Sequence, residues 1–307
     1  MRRGGFTLVE ILVALGIASL LLGVILSTTL GHRRLYVLDQ NRTAANQNLR
    51  AALDILVADL RQAGERLPLD FPAVEVRNNG TELVLRRNLF DVVLSLCDRN
   101  GISGNQDNIP VADRNPPRNA SMEYIEACRF RDEDRNGFDD RIDAWRNYRC
   151  GLDGDPTCQT GNRREVVRVY IHDPSTGRHD PSTHRGEWFD YDGEDRSGVH
   201  IHRGNRDPWQ NSYGPLSRLY ILEERRYFLS GTVLNLAENG GGGRGLVGDV
   251  VSLQIKARAG NSTYINFPPP GVSWTSLEYV EVTVKSRLGN VERALSTQAV
   301  PRNVFSQ

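Results

Sequence analysis

An uncharged segment from Ile11 to Leu30 limits what this chain can fold into more than any other feature. Its residues are mostly Leu, Ile, Val, Ala and Gly, and as a helix they would span about 30 Å, the thickness of the hydrocarbon core of a bilayer. Arg2 and Arg3 precede the segment, and Arg33 and Arg34 follow it. Because the N-terminal side is so short, we expect a single-pass transmembrane helix with the bulk of the chain outside the cytoplasm.

Charge and motifs exclude two broad classes of function. The chain has 38 Lys and Arg residues and 38 Asp and Glu residues, so its formal net charge is zero. A nucleic-acid binder normally has an excess of basic residues, and we therefore expect no nucleic-acid partner. The sequence also lacks the HExxH and GxSxG motifs and a phosphate-binding loop, and we do not expect an enzyme.

Four cysteines lie downstream of the apolar segment, at Cys97, Cys128, Cys150 and Cys158. An even number in an exported domain indicates disulfides, and four cysteines allow three pairings. Cys150 and Cys158 close a short loop and are the preferred pair, which leaves Cys97 with Cys128. The alternative is four reduced thiols in a cytosolic fold.

The N-terminus places small residues before the apolar segment instead of after it, unlike an ordinary secretory signal. Cleavage after Gly4-Gly5 would keep the apolar helix and make Phe6 the new N-terminus, with a positive amine. Glu10 then lies about one helical turn away, within reach of such an amine on its own or a neighbouring chain. A carboxylate in hydrocarbon costs about 2.5–3.5 kcal/mol, so Glu10 either has a partner or lies at the interfacial edge and snorkels.

The segment Gly5-Phe6-Thr7-Leu8-Val9-Glu10 resembles the processing site of type IV prepilins and of the related pseudopilins of type II secretion. The resemblance implies that prepilin peptidase cuts after Gly5 and methylates Phe6, and that Glu10 guides docking into a filament. It further implies contacts with other pilins, with the inner-membrane assembly platform and, before assembly, with membrane lipid. The expected location is the inner membrane with the head outside the cytoplasm, and then a filament at the cell surface.

A second helical pattern continues beyond the apolar segment. Apolar residues recur at spacings of three and four, with charged residues between them, which indicates an amphipathic helix. The stripe consists of Leu49, Leu53, Leu56, Leu60 and Ala63. Gly64, Pro68 and Pro72 are stop signals. The pattern predicts one helix from Phe6 to about Ala63, near 87 Å long at about 1.5 Å per residue.

Downstream the apolar period changes to two, which indicates strands separated by turns. The predicted strands are Ala73–Arg77, Glu82–Arg87, Val166–His172, Leu219–Leu229, Val250–Ala257, Leu277–Ser286 and Val291–Thr297. A helix followed by strands predicts an α+β fold with an antiparallel sheet. Between about residues 95 and 215 the chain is polar with little periodicity, and we predict a long insertion held by disulfides or by a metal.

These segments predict a leader at residues 1–5, a transmembrane half-helix at 6–30, an amphipathic half-helix at 31–66 and a sheet head at 67–307. The head also resembles PilW/J-type minor pilins. The matching segments are Tyr227-Phe228-Leu229, a Gly-rich loop, Leu246–Ile255, Trp274, Tyr279–Lys285 and Pro301-Arg302-Asn303. This resemblance implies a pilin fold and a minor pilin in a type IV pilus or in its priming or tip complex. The alternatives are a J-type pseudopilin of type II secretion and a membrane-anchored extracytoplasmic adhesin.

The segment from Asp132 to Asp143 has the ligand order of an EF-hand-type calcium loop, with Gly137 at the sixth position, where the chain turns sharply. The oxygen donors would be the side chains of Asp132, Asp134, Asn136, Asp140 and Asp143 and the backbone carbonyl of Phe138. The sequence favours Ca²⁺ here over a solvated acidic turn that Arg131, Arg135 and Arg141 partly neutralise.

Two other polar segments are not predicted to bind metal. The acidic segment Asp190–Asp195 lacks glycine at its sixth position and is predicted to be a turn. His200 and His202 alternate on a predicted strand and face the same side, but a third ligand is missing. We expect the two histidines to line the surface.

Overall fold

A single long helix, α1, precedes the head in the computed structural model. The structure describes residues 8–68, 71–151, 165–176, 185–204, 207–289 and 291–304. Helix α1 runs without interruption over Leu8–Gln62, so its 55 residues are about 82 Å long at 1.5 Å per residue. The predicted end at Ala63 is within one residue of the observed end. The predicted start at Phe6 and the rest of the leader lie outside the described residues.

The remaining helices and strands form the head. In chain order they are β1 (Val74–Arg77), β2 (Glu82–Asn88), β3 (Leu94–Ser95), β4 (Asn108–Pro110), α2 (Met122–Cys128), α3 (Asp140–Cys150), β5 (Val167–His172), β6 (Gly186–Glu194), β7 (His200–Arg203), β8 (Arg218–Tyr220), β9 (Leu222–Ser230), β10 (Val233–Glu238), β11 (Gly243–Val247), β12 (Val250–Ala259), β13 (Ser262–Tyr264), β14 (Leu277–Leu288) and β15 (Val291–Ala299). Helix first and antiparallel strands later confirm the predicted α+β class.

The C-terminal half of α1 packs on the sheets of the head, and its N-terminal half does not. The buried residues of the helix are Ala45, Leu49, Ala52, Leu53, Leu56 and Leu60. They confirm the predicted stripe, because spacings of three and four place residues on one face of a helix. At the end of the helix, the side-chain amide of Asn303 donates to the carbonyl oxygens of Gln62 (3.4 Å) and Ala63 (3.1 Å), two groups that have no partner inside the helix.

Two antiparallel sheets share a core with α1. The five-stranded sheet has the order β1-β2-β9-β10-β11, and the four-stranded sheet has the order β13-β12-β14-β15. An isolated antiparallel bridge joins Val76 of β1 to Phe267, in the segment that follows β13. Alternate residues of β12 and β14 point into the core, as the period of two predicts: Leu253, Ile255, Ala257, Val280, Val282 and Val284.

A third sheet spans the polar segment predicted at 95–215 and extends a few residues beyond it at both ends, in β3 and β8. Its six antiparallel strands have the order β3-β8-β5-β6-β7-β4. Its two edges approach each other, since the Cys97 N–H donates to the carbonyl oxygen of Pro110 at 2.7 Å. The side chains buried together here include Trp145 of α3 and Phe189 and Tyr191 of β6. The segment therefore has a hydrophobic core of its own, which the sequence did not indicate.

Two strand assignments in this region need correction. The predicted strand Leu219–Leu229 is divided at Ile221, so that β8 belongs to the six-stranded sheet and β9 to the five-stranded sheet. The acidic segment Asp190–Asp195, predicted to be a turn, lies mostly within β6. There Phe189 and Tyr191 face the core, and Asp190 and Asp192 alternate with them on the other face.

The predicted Cys97–Cys128 disulfide is present, with a Cα–Cα distance of 5.5 Å. It connects the chain just after β3 to the last residue of α2. Cys150, at the end of α3, is also disulfide-bonded. Its predicted partner, Cys158, lies outside the described residues.

Candidate functional site

The N-terminal half of α1 is an apolar rod that projects from the head. In the part of the chain that the structure describes, Leu8–Gln62 is the one helix long and apolar enough to cross a membrane, and none of its most apolar stretch is buried in the protein. Glu10 lies in the first turn of the described helix, among exposed Leu, Ile and Val side chains. Gly5 and Phe6, the predicted processing residues, lie outside the described residues.

The exposed apolar surface continues past the arginine pair that follows the apolar segment. Leu35 and Tyr36 are 61% and 63% exposed, and Val37 and Leu38 are also exposed. Four consecutive helical residues point in all directions around the helix, because each is rotated by about 100° from the last. An apolar surface of this extent on a soluble monomer normally marks an interface with lipid or with another protein.

Asp59 connects α1 to the five-stranded sheet. Its carboxylate accepts a hydrogen bond from Arg225 Nη1 at 2.5 Å, and the Tyr227 hydroxyl donates to its other oxygen. Burial and the hydrogen bond to Asp59 raise the pKa of Tyr227. The hydrogen bond to Asp59 also raises the pKa of Arg225. The sequence placed Asp59 only among the charged residues beside the apolar stripe, since its partners lie more than 160 residues away.

The structure brings together three of the predicted calcium ligands. One carboxylate oxygen from each of Asp132, Asp134 and Asp140 lies within 4.8 Å of the other two. Gly137 has a φ of +92°, which favours glycine at this turn. Its N–H donates to Asp132 at 3.1 Å, and the N–H of Asn136 donates to the same carboxylate at 3.0 Å.

The remaining predicted ligands lie beside this cluster. The Asn136 side-chain amide nitrogen donates to Asp134 (2.9 Å) and Asp143 (2.5 Å), and so links the two carboxylates. Its amide oxygen accepts from the Phe138 N–H at 2.8 Å. In this orientation Asn136 does not offer its oxygen to a cation, and ligation requires the amide to turn. The donor set consists of hard oxygens, which suits Ca²⁺.

Arg131 and Arg141 bind groups other than the three clustered carboxylates. Arg141 pairs with Asp139 (2.8 Å), which caps α3 and is buried. Arg131 donates through its side chain to the carbonyl oxygen of Glu126. Among the residues that the structure describes, no salt bridge reaches Asp132, Asp134 or Asp140. The negative charge of the cluster is therefore left for a cation or for solvent to balance.

The backbone of this loop is held by segments that follow β4 and β6. Arg114 Nη2 donates to the carbonyl oxygens of Gly137 and Ser197, both at 2.8 Å. Gly198 lies directly against Gly137, so that a Cβ added at Gly198 would come within 2.1 Å of the Gly137 carbonyl oxygen. The Asp139 N–H donates to the carbonyl oxygen of Gly198 at 3.0 Å.

The two histidines of β7 share one face, as predicted, and each pairs with a carboxylate. His200 Nδ1 lies 2.9 Å from Asp195, and His202 Nδ1 lies 2.6 Å from Asp192. Within the described ranges these residues do not form a cluster with metal-ligand spacing. They are part of the polar outer face of the six-stranded sheet.

Comparison with known proteins gives a family match for the N-terminal segment of the chain. A family model described as the prokaryotic N-terminal methylation motif matches residues 1–26. Neither a curated protein nor a solved structure matches the chain. The motif supports a type IV pilin or pseudopilin substrate, and it implies processing by prepilin peptidase and assembly with other pilins. Together with the apolar helix, it indicates membrane anchoring.

Proposed function

We propose that this chain is a minor pilin of a type IV pilus, similar to the PilW/J-type proteins. In this proposal prepilin peptidase cuts after Gly5 and methylates Phe6, and the subunit enters the filament or its priming or tip complex. Its role is structural and not enzymatic. The observation that carries the proposal is the methylation motif at the start of a helix whose apolar surface is longer than a membrane anchor needs.

The length of that surface favours a filament subunit over an anchored adhesin. From Leu8 to Leu38 the helix is about 46 Å long at 1.5 Å per residue, whereas the hydrocarbon core is about 30 Å thick. Arg33 and Arg34 mark the membrane boundary, so Leu35 to Leu38 lie beyond the hydrocarbon. In a filament, neighbouring helices would cover these side chains. Glu10 would meet the positive amine of Phe6 on a neighbouring chain.

The position of the six-stranded sheet favours a place for this subunit at the pilus tip or in the priming complex. The six-stranded sheet leaves the head beside the C-terminal end of α1, where the Asn88 N–H donates to the Glu65 carbonyl oxygen at 2.9 Å. This end is opposite the one that carries Glu10. At the tip of a pilus, no further subunit has to pack against the end of the head that carries the six-stranded sheet. A J-type pseudopilin of type II secretion shares the N-terminal features and is the second candidate.

The test compares the mature chain and its location in the native host. Intact mass and N-terminal sequencing of the membrane-extracted protein should give a chain that starts at methylated Phe6. Sheared pili should contain the protein, and Glu10→Ala should reduce its amount there without preventing cleavage. A chain that keeps Met1, or begins near residue 31, refutes the pilin assignment. Loss of type II secretion instead of piliation on gene deletion would favour the pseudopilin.

We further propose that the loop from Asp132 to Asp143 binds Ca²⁺, on the evidence of the three clustered carboxylates. Because a ligand that binds only the folded state stabilises it, 1 mM CaCl₂ should raise the Tm of the full chain above its value in EGTA. Asp132→Asn and Asp140→Asn should abolish the increase. Asp54→Asn, an exposed carboxylate on α1, is the matched control and should leave the increase unchanged. An equal increase in all variants, or none in the wild type, contradicts the proposal.

A further inference from the structure

The six-stranded sheet is inserted between the two strands of a single β-hairpin, β2 and β9. Strands β2 and β9 pair antiparallel, and Asn88 at the end of β2 stands opposite Leu222 at the start of β9. Everything between these two residues, which we call the insert (residues 89–221), therefore occupies the position of a hairpin turn. The Leu89 N–H donates to the Ile221 carbonyl oxygen at 2.9 Å, so the entry and exit of the insert are joined by a hydrogen bond.

The insert has its own hydrophobic core. One cluster of buried side chains consists entirely of insert residues, and its largest fully buried members are Trp145, Tyr191, Tyr213 and Phe189. Helix α3 and the six-stranded sheet enclose it. The Cys97–Cys128 disulfide also lies wholly within the insert. A unit with a separate core, covalent bonds of its own and adjacent ends has the properties of an inserted domain.

The rest of the head does not need the insert to complete its sheets. The core of α1 and the other two sheets meets few insert residues, chiefly Tyr170, His172 and Tyr220. Their rings pack edge-on against Phe71, with centroids 6.0, 4.9 and 5.1 Å away. Helix α1 packs mainly against β14 and β15. Removing the insert would leave β2 and β9 as neighbouring antiparallel strands, which a two-residue turn can connect.

We propose that the insert is a separately folding module that is dispensable for processing and filament assembly. The apolar helix and the two sheets that hold it are then the assembling part of the chain. The insert, with the loop from Asp132 to Asp143, serves a separate function on the side of the head away from the membrane. This inference rests on the proposed pilin function and specifies which part of the chain performs it.

The first test replaces residues 89–221 by Asn-Gly, a favoured two-residue hairpin turn, and expresses this variant in the native host beside the full-length chain. Both should be cleaved before Phe6, and both should be recovered in sheared pili at levels within about twofold of each other. A full-length chain that is absent from pili refutes the proposed function itself. A full-length chain that assembles, beside a deletion variant that is degraded or excluded from pili, refutes only the present inference.

A second measurement uses the full-length chain and does not depend on the deletion. Ile142→Ala destabilises the core of the insert, and Leu56→Ala destabilises the core around α1. In amide hydrogen exchange, Ile142→Ala should accelerate exchange by about tenfold or more in β5 and β6, and leave β12 and β14 protected. Leu56→Ala should have the opposite pattern. If either variant accelerates exchange equally in both cores, the head is one cooperative unit and the inference is wrong.

Discussion

Replacing Asp59 by Ala removes the carboxylate that fastens α1 to the five-stranded sheet. The Asp59 side chain is 10% exposed, and the side chain of its partner Arg225 is 28% exposed. After the change, the buried hydroxyl of Tyr227 loses its acceptor. Arg225 keeps one partner, Glu223, at 3.1 Å. The change therefore costs more at Tyr227, which loses its acceptor, than at Arg225, which keeps Glu223.

The two losses can be estimated separately. An unpaired buried hydroxyl costs about 1–3 kcal/mol of unfolding free energy. The ion pair contributes about 0.5–1 kcal/mol, because Arg225 is partly solvated and retains Glu223. Asp59→Ala should thus lower the unfolding free energy by about 1.5–4 kcal/mol. For a chain of this size that corresponds to a decrease in Tm of between about 3 and 16 °C.

The assay is urea unfolding of a soluble chain that begins after Leu30, followed by circular dichroism. Asp59→Asn keeps an oxygen acceptor for Tyr227 and should lose about half as much stability as Asp59→Ala. Asp54→Ala changes an exposed carboxylate on the same helix and should stay within about 0.5 kcal/mol of the wild type. If Asp59→Ala is no more destabilising than Asp54→Ala, the contact does not hold the helix and the reasoning is refuted.

Three further predictions concern the insert. Burial raises the pKa of Tyr170 to about 12, so the folded state keeps a proton that the unfolded state loses above about pH 10. Tyr170 should lower the unfolding free energy by about 1 kcal/mol between pH 10 and 11, and Tyr170→Phe should remove this contribution in urea titrations. Gly198→Ala should lower the Tm more than Gly104→Ala, because both positions have positive φ but only Gly198 abuts backbone; equal decreases would contradict this. Replacing Cys97 and Cys128 by Ser should cost about 3–4 kcal/mol, since the bond closes a 31-residue separation, and an unchanged urea midpoint would refute that estimate.

Local sequence signals were sufficient for α1 and for the main strands. The uncharged segment and the leucine stripe each repeat over several turns, and the predicted end at Ala63 missed the observed end by one residue. Strands β12 and β14 are ten and twelve residues long, so their alternation is visible without knowledge of their partners. The Cys97–Cys128 pair followed from the short spacing of the other two cysteines.

The sheet of the insert could not be predicted because its strands are short and pair over long separations. Leu94–Ser95 has two residues, and its partner strand contains Leu219. His200–Arg203 has four residues, of which Ile201 and Arg203 are buried and two histidines face outward. Too few alternations are present in such strands to distinguish them from a polar loop. Their core forms only when strands from both ends of the insert come together.

The contact between Asp59 and its partners has a consequence at the other end of the molecule. Helix α1 is continuous over Leu8–Gln62, so the head sets the rotation of the whole helix about its axis where it holds Asp59. Glu10 lies 49 residues earlier, which is between 13 and 14 turns at about 3.6 residues per turn. The direction in which Glu10 faces is therefore coupled to the orientation of the head. A carboxylate that the sequence placed only among the charged residues beside the apolar stripe connects the face that the head presents to the face that the helix offers to its neighbours.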